Sequence, residues 1–229
     1  MNMSELLKKL ETYADSDYLP MHMPGHKRRM GDLGNPFFID ITEIDGFDDL
    51  HHAEGILKQA EERAAELYGS EETHYLVNGS TSGILAAISG CTAAGGTVLL
   101  ARNSHKSAYH AVLLRGLHVH YIYPQLAGKM GINGPVTAEN VDRLLEEHPE
   151  TKMVYITSPT YDGVVSDVEQ IAEVVHRRKL PLIVDEAHGA HFPFSEQFPK
   201  DSVSCGADVV IHSVHKTLPS LTQTALIHL

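Results

Sequence analysis

From residue 73 onward, short apolar runs rich in β-branched residues alternate with stretches of helical periodicity, the pattern of a parallel sheet buried on both faces. The runs predict strands over Thr73–Asn78, Thr97–Ala101, His118–Tyr123, Lys152–Thr157, Pro181–Asp185, Asp208–Ser213 and Thr224–Leu229. Helices are predicted between them over Ser80–Ala94, Ser104–Arg115, Thr137–His148 and Ser166–Lys179. The last opens on Ser166-Asp167-Val168-Glu169, which fits a capping box. A further helix, Ala53–Tyr68, gathers Ile56, Leu57, Ala60, Ala64, Leu67 and Tyr68 on one face and closes at Gly69. The expected fold is α/β: a mostly parallel, seven-stranded wound sheet flanked by helices.

The first 50 residues break this pattern. Met1–Ala14 is amphipathic and reads as a helix, and the segment after it is rich in Pro, Gly, His and Asp and reads as an extended arm. The expected division is therefore 1–50 for helix and arm and 51–229 for the large sheet domain. That domain ends abruptly on Ala225-Leu226-Ile227-His228-Leu229, in mid-sheet, so a small C-terminal domain is expected to be absent.

With 229 residues, 42% of them hydrophobic and 21% charged, the chain can bury a substantial core, which excludes collagen, coiled coil and disorder. The formal charge of −12 argues against nucleic acid or an anionic membrane as a partner and tolerates small cationic ligands. Cys91 and Cys205 allow one disulfide at most, and the N-terminus lacks a secretory signal, so the cytoplasm is the expected compartment. Thr73–Ala101 lacks Asp, Glu, Lys and Arg over a length that could cross a bilayer. Its interruptions at Asn78–Gly83 and Gly95-Gly96 make it strand, loop, helix and strand instead.

Ligands of wound sheets bind beyond the carboxyl ends of the strands, so the residues just after each run carry the chemical information. Gly79-Ser80-Thr81-Ser82-Gly83 opens a helix and offers amides and hydroxyls to an anion, or serves as an ordinary helix cap. Asp185 is delivered to a strand end, where it could pair with a cationic heterocycle or join His188 and His191 around a metal. Lys216 follows the sixth run; desolvation there would suit Schiff-base chemistry, and a surface lysine is the alternative. His105, after the second run, could stack on a planar ligand or be a structural histidine. An anion cradle, a carboxylate, an aromatic ring and an amine on one sheet edge together meet the needs of pyridoxal phosphate.

Six segments in order carry a more specific signal: His22-Met23-Pro24-Gly25-His26-Lys27, Asp49-Leu50-His51-His52, Asn78–Gly83, Asn103-Ser104-His105-Lys106-Ser107, Asp185-Glu186-Ala187-His188-Gly189 and Ser213-Val214-His215-Lys216-Thr217-Leu218. This order resembles the Orn/Lys/Arg decarboxylase family of pyridoxal-phosphate enzymes of the aspartate aminotransferase fold, in its shorter bacterial form. The resemblance implies that Lys216 carries the cofactor, Asp185 pairs with its pyridine nitrogen, and His105 and Ala187 flank the ring. Ser80, Thr81 and Ser213 would bind the phosphate with Ser82 nearby; His188 would lie near the ring hydroxyl and His215 near the phosphate or substrate. No metal is implied. The implied reaction is α-decarboxylation of arginine, lysine or ornithine, a small cationic substrate, in a homodimer or larger oligomer, with His26 and Asp45–Asp49 of the arm lining a neighbouring subunit's site. Family members continue for about as many residues again, so the implied activity calls for a further C-terminal part. The alternatives are a non-catalytic fragment, or another activity of the same fold such as an aminotransferase or lyase.

Overall fold

The computed structural model describes residues 5–29, 34–126 and 128–229. Seven strands form one sheet: β1 (Thr73–Leu76), β2 (Thr97–Ala101), β3 (His118–Ile122), β4 (Thr151–Thr157), β5 (Leu182–Asp185), β6 (Val209–His212) and β7 (Ala225–His228), in the order β1-β7-β6-β5-β4-β2-β3. Strands β2 to β6 are paired in parallel, and β7 runs antiparallel to both its neighbours, β1 and β6. Every predicted strand is present, most of them trimmed by one or two residues at an end.

The helices are α1 (Glu5–Ala14), α2 (Ile56–Tyr68), α3 (Gly79–Cys91), α4 (Lys106–Arg115), α5 (Ala138–Glu147), α6 (Val168–His176) and the single turn α7 (Val214–Thr217). Alternation along the strands divides the core into two layers. Leu99, Ile122, Val154, Ile156, Leu182 and Val184 pack under α5 and α6 against Val141, Leu145, Ile171 and Val175. Val98, Leu100, Met153, Tyr155, Ile183 and Ile211 face the other way, against Ile84 and Ile88 of α3 and Ala108 and Ala111 of α4. Each fully buried aliphatic chain contributes about 1.5–3 kcal/mol, so a sheet covered on both faces holds its strand ends rigidly.

Three local devices differ from the sequence reading. Helix α6 starts at Val168 because Asp167, whose carboxylate accepts from the Gln170 amide, is its cap. Ser166 is instead buried, its hydroxyl accepting from the Val136 amide and its own amide donating to Ser158. At the arm's end, Asp48 accepts from the amides of Glu54, Gly55 and Leu57 and so caps α2 from outside, which holds its carboxyl down at about 2. That carboxylate serves its own chain's fold. Among the described residues no helix is long and apolar enough to cross a membrane, and Cys91 and Cys205 are both free.

The arm docks through Gly25, whose amide donates to the His215 carbonyl at 2.6 Å. A Cβ on Gly25 would stand 2.6 Å from the backbone oxygen of Leu218 and 3.1 Å from its nitrogen. Backbone cannot yield as a side-chain tip can, so only glycine lets the arm lie against the turn that carries Lys216. Gly25→Ala is expected to detach the arm, lowering stability by about 1–3 kcal/mol; thermal melting and faster limited proteolysis within residues 15–29 check it.

Candidate active site

Parallel strands all present their carboxyl ends on one side, and there the chain forms a cleft of about 520 Å³. It is lined by Ser80, Thr81, Asn103, His105, Asp185, Ala187, His188, Ser213, His215 and Lys216, together with Met23 of the arm. Nine of the ten expected site residues are thus brought together. The exception is Ser82, whose hydroxyl turns back to the carbonyls of Val77 and, at 2.8 Å, Gly79. Lying further along the helix than the phosphate cradle requires, it ties down the loop instead of facing the cleft.

The start of α3 is not capped by a side chain: Asn78 is in the left-handed region with φ 63°, and its side chain makes no capping bond. First-turn amides therefore stay available to an anion, with the hydroxyls of Ser80 and Ser213, 2.7 Å apart, beside them. Gly83 lets the helix lie close on the sheet, since a Cβ there would stand 2.5 Å from Leu76 Cδ1 and 3.4 Å from Ile211.

Asp185 is buried at the end of β5, with Oδ2 accepting from the Tyr155 hydroxyl at 3.1 Å and Oδ1 from the Ala187 amide at 3.2 Å. Burial raises its carboxyl above the ordinary range, and Lys216 and the two hydrogen bonds oppose that rise. Burial likewise lowers the Lys216 ammonium, with Asp185 opposing. The amine donates to His188 Nε2 at 3.0 Å, and desolvation with the adjacent Lys216 charge holds that imidazole down at about 4, neutral and able to accept. His105 caps α4: its Nδ1 accepts from the Ser107 amide, which places the neutral ring's proton on Nε2, and burial lowers its pKa. His215 is fixed by a 3.1 Å bond from Nδ1 to the Thr224 carbonyl.

The metal alternative at this edge does not assemble. His188 is engaged with Lys216, while His191 lies outside the cleft, edge-on to Phe198 at 4.5 Å between ring centroids.

Sequence reasoning missed Tyr155, Tyr161 and Asn103 as cleft residues or partners. Tyr155 was legible in principle: β4 pairs Tyr155 with Ile183 and Thr157 with Asp185, so a tyrosine two residues back on β4 lies on the carboxylate's face. Asn103 Oδ1 is buried in the cleft wall with no hydrogen-bond partner, an acceptor waiting for a donor.

Beneath the site, Glu186 was missed altogether. It is buried on the other face of the sheet, accepts from the amide and hydroxyl of Ser202, and meets His212 Nε2 at 2.7 Å. From His212 Nδ1 the chain of bonds continues to His228 Nε2 (3.0 Å), from His228 Nδ1 to Thr73 Oγ1 (2.8 Å), and on to Ser70 Oγ (2.8 Å). The Tyr68 ring covers both imidazoles, with centroids at 5.0 and 4.6 Å. A Cβ on Gly189 would stand 2.5 Å from Glu186 Cγ, so the glycine makes room for this carboxyl directly under the turn bearing Asp185, Ala187 and His188. Desolvation pushes Glu186 up to about 8 and both imidazoles down to about 3. A protonated Glu186 donates to His212, and every later bond then points away from it; loss of that proton reverses the whole chain.

A parallel sheet whose strand ends gather an amine, a buried carboxylate and an uncapped helix start defines the large domain of the fold-type-I pyridoxal-phosphate enzymes, and the solved structures similar to this chain have that fold. Within that class the chain belongs to the Orn/Lys/Arg decarboxylase family, whose major-domain profile matches residues 4–229. It is 40% identical to the uncharacterized protein YaaO of Bacillus subtilis over 98% of this chain and 48% of that one. It is 35% identical to the arginine decarboxylase of the same organism over 96% of this chain and 46% of that one. Lysine decarboxylase A from Pseudomonas aeruginosa superposes with a TM-score of 0.72 at 25% identity, covering 96% of this chain and 33% of that one. The chain spans about half the length of the curated relatives it matches.

The buried network makes stability depend on pH in a definite sense. Between pH 4.5 and 6.5 the folded chain withholds two protons, from His212 and His228 (about 3, against 6.5), and gains one on Glu186 (about 8, against 4.5). The unfolded state then binds more protons and stability rises with pH. Between 6.5 and 8 Glu186 dominates, the folded state binds more, and stability falls by up to about 1.4 kcal/mol per pH unit. Thermal melting is expected to peak near pH 6.5, with Glu186→Gln abolishing the decline on the alkaline side; a decline unchanged by that substitution contradicts the assignment.

Proposed function

We propose that this chain binds pyridoxal phosphate and forms the cofactor domain of a decarboxylase acting on a basic amino acid, arginine, lysine or ornithine, to give an amine of the polyamine series. The observation that carries the reading is the Lys216 amine, lowered by burial and held by neutral His188, above the buried carboxylate of Asp185. The cleft fits the cofactor in size and in its unmet polar groups, the α3 amides and Asn103 Oδ1. When bound, the cofactor supplies an electron sink for the pair left when a bond at the substrate α-carbon breaks.

The chain's own residues would do the rest. Lys216 would hold the cofactor's aldehyde carbon, and its lowered pKa would favour the nucleophilic free amine. Asp185, whose carboxyl burial raises in the absence of a partner, would be returned to its anionic form by a ring nitrogen that carries a proton. His105 and Ala187 would enclose the ring, and Ser80, Thr81, Ser213 and the α3 amides would bind the phosphate. His188, neutral beside Lys216, would be the base positioned to take the proton that the ammonium must shed.

Residues 1–50 would act as an arm and 51–229 as the cofactor domain. The arm exposes Phe37, Phe38, Ile39, Ile41, Ile44 and Phe47, an apolar surface suited to burial against a second subunit in a dimer or larger assembly. The relatives named arginine decarboxylase make arginine the first substrate to try.

Pyridoxal phosphate added to the purified chain should give a visible absorbance band that borohydride traps on Lys216 by peptide mapping. Lys216→Ala should abolish it, and the same band in that variant sinks the assignment. Asp185→Asn should still bind cofactor while losing about 100-fold or more in carbon dioxide release from arginine, lysine or ornithine, assayed in a full-length relative carrying the equivalent change if the 229-residue chain does not turn over.

A further inference from the structure

Away from the cleft, at the opposite ends of the strands, His120 of β3 stacks face to face on His148, the residue that caps the carboxyl end of α5, and Glu150 stands beside both just before β4. The ring centroids are 3.3 Å apart and the planes 10° from parallel. Both rings aim a nitrogen at the same oxygen: His120 Nε2 lies 3.3 Å and His148 Nδ1 3.7 Å from Glu150 Oε1. We propose that His120, His148 and Glu150 form a site for a divalent transition-metal ion, zinc by its ligand chemistry, that pins the edge strand β3 to the turn between α5 and β4.

The separations favour it. Zinc holds nitrogen and carboxylate ligands at about 2.0–2.2 Å, and tetrahedral bonds of that length set the ligands roughly 3.3–3.6 Å apart. The two measured separations fall close to that range, and all three ligand atoms lie within 4.8 Å of one another. Among the described residues this is the group of histidine and carboxylate side chains that so gathers. Two imidazoles and one carboxylate suit zinc and its neighbours in the transition series rather than calcium or magnesium, which take oxygen ligands.

The helix adds a second reason. His148 donates its amide to the Leu144 carbonyl at the carboxyl end of α5, where the aligned peptide dipoles favour positive charge. An ion shared by two parallel rings would lie off both ring planes, so binding must rotate an imidazole out of the stack. His120 and His148 are only partly buried and Glu150 is exposed, so this movement displaces no core side chain.

Zinc titrated into the 229-residue chain by calorimetry, with thermal melting alongside, tests the site independently of cofactor binding. One zinc per chain is expected, with the melting temperature raised by about 5–10 °C at a hundredfold excess over Kd. His120→Ala, His148→Ala and Glu150→Ala should each weaken binding at least tenfold, and His176→Ala, a surface histidine paired with Asp208, should not. No binding by the unaltered chain, or equal binding by the His120→Ala/His148→Ala double variant, overturns the proposal.

Discussion

A carboxylate buried at the end of a central strand is the constraint around which this protein is arranged. Asp185 is out of water, and two neutral hydrogen-bond donors and a lysine oppose the cost of keeping it there without removing it. The sheet can hold such a group because it is covered on both faces, which fixes β5 between β4 and β6 and leaves the carboxyl group no route to solvent. The same burial that raises Asp185 lowers Lys216, so one desolvated pocket prepares both an anion in need of a cation and an amine ready to lose its proton.

The turn after β5 is supported from below as well as used from above. Asp185, Ala187 and His188 face the cleft, whereas Glu186 reaches through to Ser202 and His212 on the opposite face. Side chains alternating across a sheet thus assign adjacent residues to different tasks, one to the site and the next to its anchorage. The arm adds a third support through Gly25, which lies on the backbone around Lys216. The lysine turn is short and has few contacts of its own, so its position depends on these neighbours.

The arrangement of elements was legible because a two-sided buried sheet leaves a strong trace: apolar runs with helical stretches between them. The site was legible where chemistry is concentrated at strand ends, as at Lys216, Asp185 and Ser213. It was obscure where function depends on which way a side chain turns. Ser80 and Ser82 are alike in sequence, yet a small step along the helix places one hydroxyl at the cleft and the other on a carbonyl of its own loop. Ser166 and Asp167 were similarly ambiguous, and the helix took its cap from the second because the first was drawn into the core.

By itself the sequence determined the element order, the sheet's two apolar faces and the set of residues at strand ends, since these come from local periodicity and from where each run stops. Only the tertiary structure decided the strand order, the reversal of β7 and the pairings between distant segments: Tyr155 with Asp185, Glu186 with His212 and His228, Gly25 with Leu218, and His120 with His148 and Glu150. Those pairings join residues far apart along the chain or carried on different elements. Nothing in local propensity encodes them; they are fixed by which faces the packed sheet and helices bring together.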